Sequence, residues 1–338
     1  MPSRILFSSQ AIGFAIDGST TYTPLHGVQT IGLSTTFNLE QVFEIGQLAI
    51  YENVENIPDI ECTIERVLDG YALAYHSATR GYTANTLAGR SQAKCGIAMS
   101  FYSDTVSSAS GTPLAEVNMS GMYVNSLSYT LPVDGNCTES VTLIGSNKTW
   151  KNSSFTFNGT LFDNTDEPLA LTSGLGGVQR RENVVFGAST LLPYGTNGIN
   201  GISTSGTNDK TAGQYAVHVQ GITISTNFNR ANVLELGRRE PYYRYVNFPI
   251  EVTTEVSVLS TFGDNTQATE AGVAGGGNNL TDHEIFVVLE DGTNFDLGTL
   301  NKLSNSNYSG GGTDGSNAIM TYTFSNWNDL IITHPSMP

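Results

Sequence analysis

Two short acidic patterns hold the residue types nearest to catalytic chemistry in this 338-residue chain. The stretch "IECTIE" (60–65) carries Glu61, Thr63 and Glu65, and "IEVTTE" (250–255) carries Glu251, Thr253 and Glu255. Paired carboxylates are what glycoside hydrolysis needs, and a spacing of two strand pleats does not exclude it. However, the pair occurs twice, with no aromatic platform for a sugar nearby, and an enzyme seldom needs its acid pair in duplicate. The other signals are weaker. Five histidines are scattered, and there is no His-Glu-x-x-His, Cys-x-x-Cys or Gly-x-Ser-x-Gly. The glycine triplets at 275–277 and 310–312 lack the lysine and helix of a phosphate loop. "DGTNFD" (291–296) lacks the downstream ligands of a calcium loop and reads as an Asp-Gly hairpin turn. The expectation is a non-enzymatic protein with no catalytic residue, metal or cofactor.

The elements that position the two acidic patterns come from a repeat. "VQTIGLSTTFNLEQVFEIG" (28–46) returns as "VQGITISTNFNRANVLELG" (219–237), offset by 191 with no gap and with ten identities: Val28, Gln29, Ile31, Ser34, Thr35, Phe37, Asn38, Val42, Glu44 and Gly46. Tyr51, Asn56 and Pro58 continue the register to Tyr242, Asn247 and Pro249, and after a one-residue deletion the acidic patterns align. A period this long is a domain rather than a solenoid unit. Glu and Thr at every second residue lie on one face of a strand, with Ile60, Cys62 and Ile64 on the other. "SYTL" (128–131) and "TYTF" (321–324) lie close to the same diagonal and are read as matching closing strands. The first leads through the Asp134-Gly135 turn, the second through "SNWND" into "LIIT". The expected organisation is all-β: two tandem β-sandwich or barrel domains at 1–150 and 213–338, few short helices, and an ordered or partly ordered insertion at 151–212 that crosses to a neighbouring surface.

Composition agrees with strands and turns. Only 14% of residues are charged, Gly, Ser, Thr and Asn are abundant, and no apolar run is long enough to span a membrane. The N-terminus reads as lacking a signal peptide. Three cysteines without metal-like spacing suit a reducing compartment, and the Asn-x-Ser/Thr sequons are expected by chance in this composition. Net charge is −16, divided as −7 over 1–150, −1 over 151–210 and −8 over 211–338. Such a chain repels nucleic acid, although acidity for solubility explains an overall negative charge equally well.

One stretch differs sharply between the copies. "QLAIYENVEN" carries Glu52 and Glu55, while "RREPYYRYVN" carries Arg238, Arg239 and Arg244 among Tyr242, Tyr243 and Tyr245. Basic residues interleaved with aromatics suit single-stranded nucleic acid, but Tyr and Arg also suit a protein interface, and a plain solvated loop is the third reading. In an acidic chain the interface is favoured. The expectation is that the arginines meet an acidic surface of a neighbouring domain, with Glu52 and Glu55 as leading partners.

"VFEIGQLAIYENVENIPDIECTIERVLDGY" and "YVNSLSYTLPVDGNCTESVTLIG" resemble the strand–loop–strand and closing strands of bacteriophage tail tube (major tail) proteins, over about 20–150 and again over 211–338. The resemblance implies a virion protein whose sheets join between neighbours into a closed inner barrel. Rings of six units stack into a tube, together with other tail proteins, and double-stranded DNA passes an acidic lumen without specific binding. No membrane is involved. Duplication departs from the single-domain members; in two-domain chains three copies close a pseudo-sixfold ring. On this reading Glu61, Thr63, Glu65, Glu251, Thr253 and Glu255 line the channel. The rival is a two-domain adhesin or capsid-decorating β-sandwich, which shares the composition but stays monomeric or forms small oligomers.

Overall fold

Alternation of apolar with hydroxyl-bearing residues decides most of the strands, because period 2 is the period of the pleat. The computed structural model describes residues 4–81, 84–105, 108–157, 159, 177–188, 218–238, 240–260, 282–313 and 317–335. Arg239, most of 151–212 and the segment 261–279 lie outside the described residues.

The first copy contains β1 (Gln10–Ile16), β2 (Thr23–Pro24), β3 (Val28–Thr36), β4 (Leu39–Phe43), β5 (Ile50–Glu55) and β6 (Asp59–Val67). Two short helices follow, α1 (Ala74–Ala78) and α2 (Leu87–Arg90), then β7 (Cys95–Phe101), β8 (Ala115–Pro132), β9 (Thr138–Gly145) and β10 (Asn147–Lys151). β11 (Val184–Ala188) belongs to the connecting segment. The second copy contains β12 (His218–Asn227), β13 (Arg230–Val233), β14 (Tyr243–Val246), β15 (Glu251–Leu259), β16 (Ile285–Leu289), β17 (Asn294–Asp296), β18 (Lys302–Ser309), β19 (Ile319–Trp327) and β20 (Ile331–Thr333). The protein is all-β, with antiparallel pairing throughout.

Eight strands form one continuous antiparallel run in the order β3-β6-β9-β8-β12-β15-β19-β18. Four come from each copy, and β8 of the first pairs with β12 of the second over seven residue pairs, Gly221↔Pro132 to Asn227↔Ser126. β8 is 18 residues long, and its first half pairs with β7 and β10 instead. One face of the run is apolar: Ile60, Cys62, Ile64, Leu127, Val141, Leu143, Ile222, Ile224, Val252, Val256 and Phe324 are all buried. The three cysteines are buried and free.

Two sequence expectations are corrected here. "TYTF" lies in β19, which pairs with β15 as β9 pairs with β6, so its counterpart is β9 rather than "SYTL" in β8. β20, the "LIIT" strand, pairs with β17 in a separate sheet, β11-β16-β17-β20. The hairpin of the second copy is therefore β18–β19, with the 310–312 glycines following β18. Four-letter likeness misled because β8 and β9 share an alternating pattern, and only pairing partners distinguish them. "DGTNFD" does form the turn between β16 and β17, with Gly292 at φ 89° and the Asp291 carboxylate accepting from Thr293 N at 2.8 Å. The connecting segment touches both copies. The Gln179 amide donates to the Leu68 carbonyl and the Gln179 carbonyl accepts from the Cys137 amide of the first, while β11 pairs with β16 of the second.

Alternation also points two charges inward. Arg66 follows Ile60, Cys62 and Ile64 on β6, and Glu139 precedes Val141 and Leu143 on β9. Both are fully buried. Glu139 accepts from Ala74 N at 2.7 Å, Tyr75 N at 3.0 Å and the Tyr129 hydroxyl at 2.9 Å, with Arg66 Nε at 4.0 Å. The first two donors open α1, whose Leu73 N-cap makes no side-chain cap, so this carboxylate satisfies amides the helix cannot. Arg66 donates further to Asp69 and to the Ala72 carbonyl. The pair thus fixes the helix to the buried face of the sheet.

A candidate assembly surface

Across its middle the opposite face of the eight-strand run is polar from edge to edge, while Ile144 and Tyr123 lie beside Glu61, Trp327 beside Glu251, and Leu259 beside Ile319. Residues directly opposite in antiparallel strands share a face, so the pairing defines rows. One row reads Thr30, Glu65, Ser140, Ser128, Ser225, Thr253, Ser325 and Lys302, one residue from each strand. Its neighbour reads Thr130, Thr223, Glu255, Thr323 and Asn305 across five strands. Both contain only hydroxyls, amides and carboxylates until Lys302 at the last edge. Hydroxyls bond across strands within this face, Thr63 with Thr142 and Ser257 with Thr321, each at 3.2 Å. Glu61, Glu65, Glu251 and Glu255 are exposed, and Thr63 and Thr253 are half-buried, all on this one face. The four carboxylates thus stand spread over a wall rather than converging on a pocket. General acid–base work needs convergence on one substrate bond, and among the described residues no cluster of His, Cys, Asp and Glu is placed to hold a metal.

The two ends of the run are open. Among the described residues β3 pairs only with β6, and β18 only with β19. The repeat shows what such an edge looks like when occupied. β12 matches β3, and its Ile222 and Ile224 are 3% and 1% exposed under β8, whereas Ile31 and Leu33 at the same positions are half-exposed. A cleft of about 750 Å³, lined in part by Ile12, Leu25, Val28 and Ile31, runs beside that open edge.

The divergent stretch is strand rather than loop. Residues 50–55 form β5 and 243–246 form β14, each paired into a hairpin with β4 and β13 respectively. The two hairpins differ in surroundings. That of the second copy lies on the first copy: Arg244 donates to the Ser146 hydroxyl at 2.7 Å and stands 3.3 Å from Asp59. Arg230 donates to the Val124 and Ser91 carbonyls at 2.7 and 2.6 Å and sits 4.8 Å over the Tyr123 ring. Tyr243 meets Tyr123 edge to face. Arg244 is buried, so it serves a joint within one chain and its acidic partner is Asp59, not Glu52 or Glu55. Burial lowers the pKa of Arg230 to about 10, still well above neutrality. Arg238 pairs locally with Glu235 and lies over Tyr242, and Tyr242 and Tyr245 are exposed. Glu52 and Glu55 are exposed on β5. Sequence reading missed Arg230, although an arginine replacing Leu39 within an otherwise matching repeat was the visible signal. Replacing Arg244 with Ala is expected to cost about 2–3 kcal/mol of stability in urea denaturation, because Ser146 and the Gly145 carbonyl lose a charged donor.

No protein-family model matches the chain, and no curated protein matches it. Solved structures that the chain matches include a chain of the anti-feeding prophage baseplate, at 12% identity and TM-score 0.35, covering 46% of this chain and 100% of that one. The cap that terminates the anti-feeding prophage tube matches at 12% identity and TM-score 0.33, covering 45% and 94%. A chain of an extracellular contractile injection system sheath–tube complex matches at 10% identity and TM-score 0.32, covering 44% and 93%. At these TM-scores the overlap is too loose to assign a role.

Proposed function

We propose that this chain is a structural virion subunit that polymerises into a phage-type tail tube. In this reading 1–150 and 213–338 are two tandem tube domains joined by 151–212, and three chains close each ring. The observation that carries it is the join between β8 and β12, a seven-pair strand pairing between two repeats of one domain. Its two participants recur at the outer edges, each with one side unpaired among the described residues: β3 is the counterpart of β12, and β18 that of β8. A repeat that pairs head to tail inside the chain has the means to pair head to tail between chains, and closure removes every edge along that run. Carrying the internal register over puts Ile31 opposite Tyr308 and Leu33 opposite Ser306 of the next chain. The Ser, Thr and Glu face then lines the lumen. Carboxylates along it repel phosphate, the hydroxyls add no charge, and Lys302 at the edge is paired with Asp282 at 3.3 Å, which weakens its hold on passing double-stranded DNA.

Electron microscopy of the purified chain, alone and with tail proteins of its phage, tests this. Expected are stacked rings of three chains, with Glu61, Glu65, Glu251 and Glu255 on the inner wall. Persistent monomers in every condition, or rings with those carboxylates outermost, would overturn the reading.

A further inference from the structure

The repeat also supplies an internal standard for a second surface. Phe37 and Phe228 occupy the same position, each within Ser-Thr-x-Phe-Asn. Phe228 is 0% exposed and Phe37 is 69% exposed. The difference follows from what each leads into. Phe228 opens the β13–β14 hairpin that lies on the first copy; its amide donates to the Asn125 carbonyl at 2.8 Å, and the Arg230 guanidinium stands 5.6 Å from its ring. Phe37 opens the β4–β5 hairpin, in which every strand residue is exposed, Leu39, Val42 and Phe43 among them, with Ile45 and Leu48 at its tip. So many exposed large apolar side chains gathered on one hairpin mark an interaction site.

We infer that the β4–β5 hairpin is an arm that docks on a second copy of this chain, with its seat at the start of β18. The inference rests on the ring reading above. Register locates the seat. Thr142 and Ser325 lie opposite the equivalent residues Thr63 and Thr253, so their other neighbours, Ser126 and Lys302, are equivalent as well. One and two residues before Ser126, Asn125 and Val124 receive Phe228 and Arg230. Their counterparts are Asn301 and Leu300. Val124 is 2% exposed, while Leu300 is 62% exposed.

The arms differ to match their seats. Arg230 and Arg244 of the second copy correspond to Leu39 and Asn53 of the first. The joint inside the chain is closed by two guanidiniums on carbonyl, hydroxyl and carboxylate partners. The joint between chains is apolar, with Phe37 and Leu39 against Leu300. An arm with Leu39 and Asn53 in place of the two arginines gives the Ser91 carbonyl, Asp59 and Tyr123 no cation, and the exposed Leu300 side chain is an apolar surface from which a guanidinium gains nothing. Each arm is therefore disfavoured on the other's seat, which makes first and second copies alternate around the ring.

A chain carrying Phe37→Cys and Leu300→Cys, treated while assembled with a short thiol–thiol crosslinker, tests the arm. The native cysteines are buried, so Phe37→Cys alone serves as the control that gives no ladder. A covalent ladder ending at the ring size is the expected result. A companion variant, Ile31→Cys with Tyr308→Cys, reports edge pairing separately. A ladder from the companion but none from Phe37/Leu300 would overturn the arm and leave the ring standing. Ladders from neither, with no rings by microscopy, would remove the ring reading and the arm with it.

Discussion

Replacing Leu33 with lysine is expected to abolish ring formation while leaving a folded monomer. In the isolated chain Leu33 is half-exposed on the edge strand β3, packed only partly against the core. Losing that packing costs about 1 kcal/mol, since a full Leu burial is worth roughly 1.5–3 kcal/mol. In a closed ring the same position is that of Ile224, which is almost wholly buried. A lysine there must shed its hydration with no carboxylate opposite, and the carried-over register offers only Ser306. That penalty is several kcal/mol per joint, and it recurs at every joint between chains. Edge lysines are also a means by which sheets avoid pairing. Light scattering should report monomer only, and the thermal midpoint should fall by no more than a few degrees. Rings assembled by the variant at wild-type concentration would show that β3 is not a joining edge.

Replacing Glu139 with Ala is expected to destabilise the monomer by about 3–5 kcal/mol, the range for breaking a buried ion pair. The change leaves the fully buried Arg66 with Asp69 as its remaining carboxylate, and leaves the Ala74 and Tyr75 amides and the Tyr129 hydroxyl without their acceptor. Urea denaturation measures it, and a loss under 1 kcal/mol would mean water replaces the carboxylate at little cost. A pH signature accompanies the loss. Burial raises the Glu139 pKa, against the pull of Arg66 and of its hydrogen bonds. A carboxyl with a folded value above its unfolded value stabilises fully below the unfolded value and loses that contribution as pH rises through the folded one. Wild-type stability therefore carries a term that declines with pH above the ordinary carboxylate range, and Glu139→Ala removes it.

The repeat itself, and the division of Glu61, Thr63 and Glu65 from Ile60, Cys62 and Ile64, were legible in the sequence because local alternation alone sets which way a strand side chain points. The same rule, applied further, would have flagged Arg66 and Glu139, whose charges fall on inward positions. What alternation cannot encode is which strand lies beside which. Pairing depends on contacts distant in sequence, so "TYTF" looked like β8 when its neighbours make it the counterpart of β9. Likewise nothing local distinguishes Phe37 from Phe228. Both sit in the same five-residue phrase, and only the packing of the second hairpin on the first copy decides that one ring is buried and the other stands in water. The sequence by itself determined the duplicated all-β units and the acidic face of their strands. Tertiary structure decided that the units share one sheet, that Arg244 is buried on Asp59, and that β3 and β18 each keep one side open among the described residues, because each depends on surfaces meeting across many tens of residues of chain.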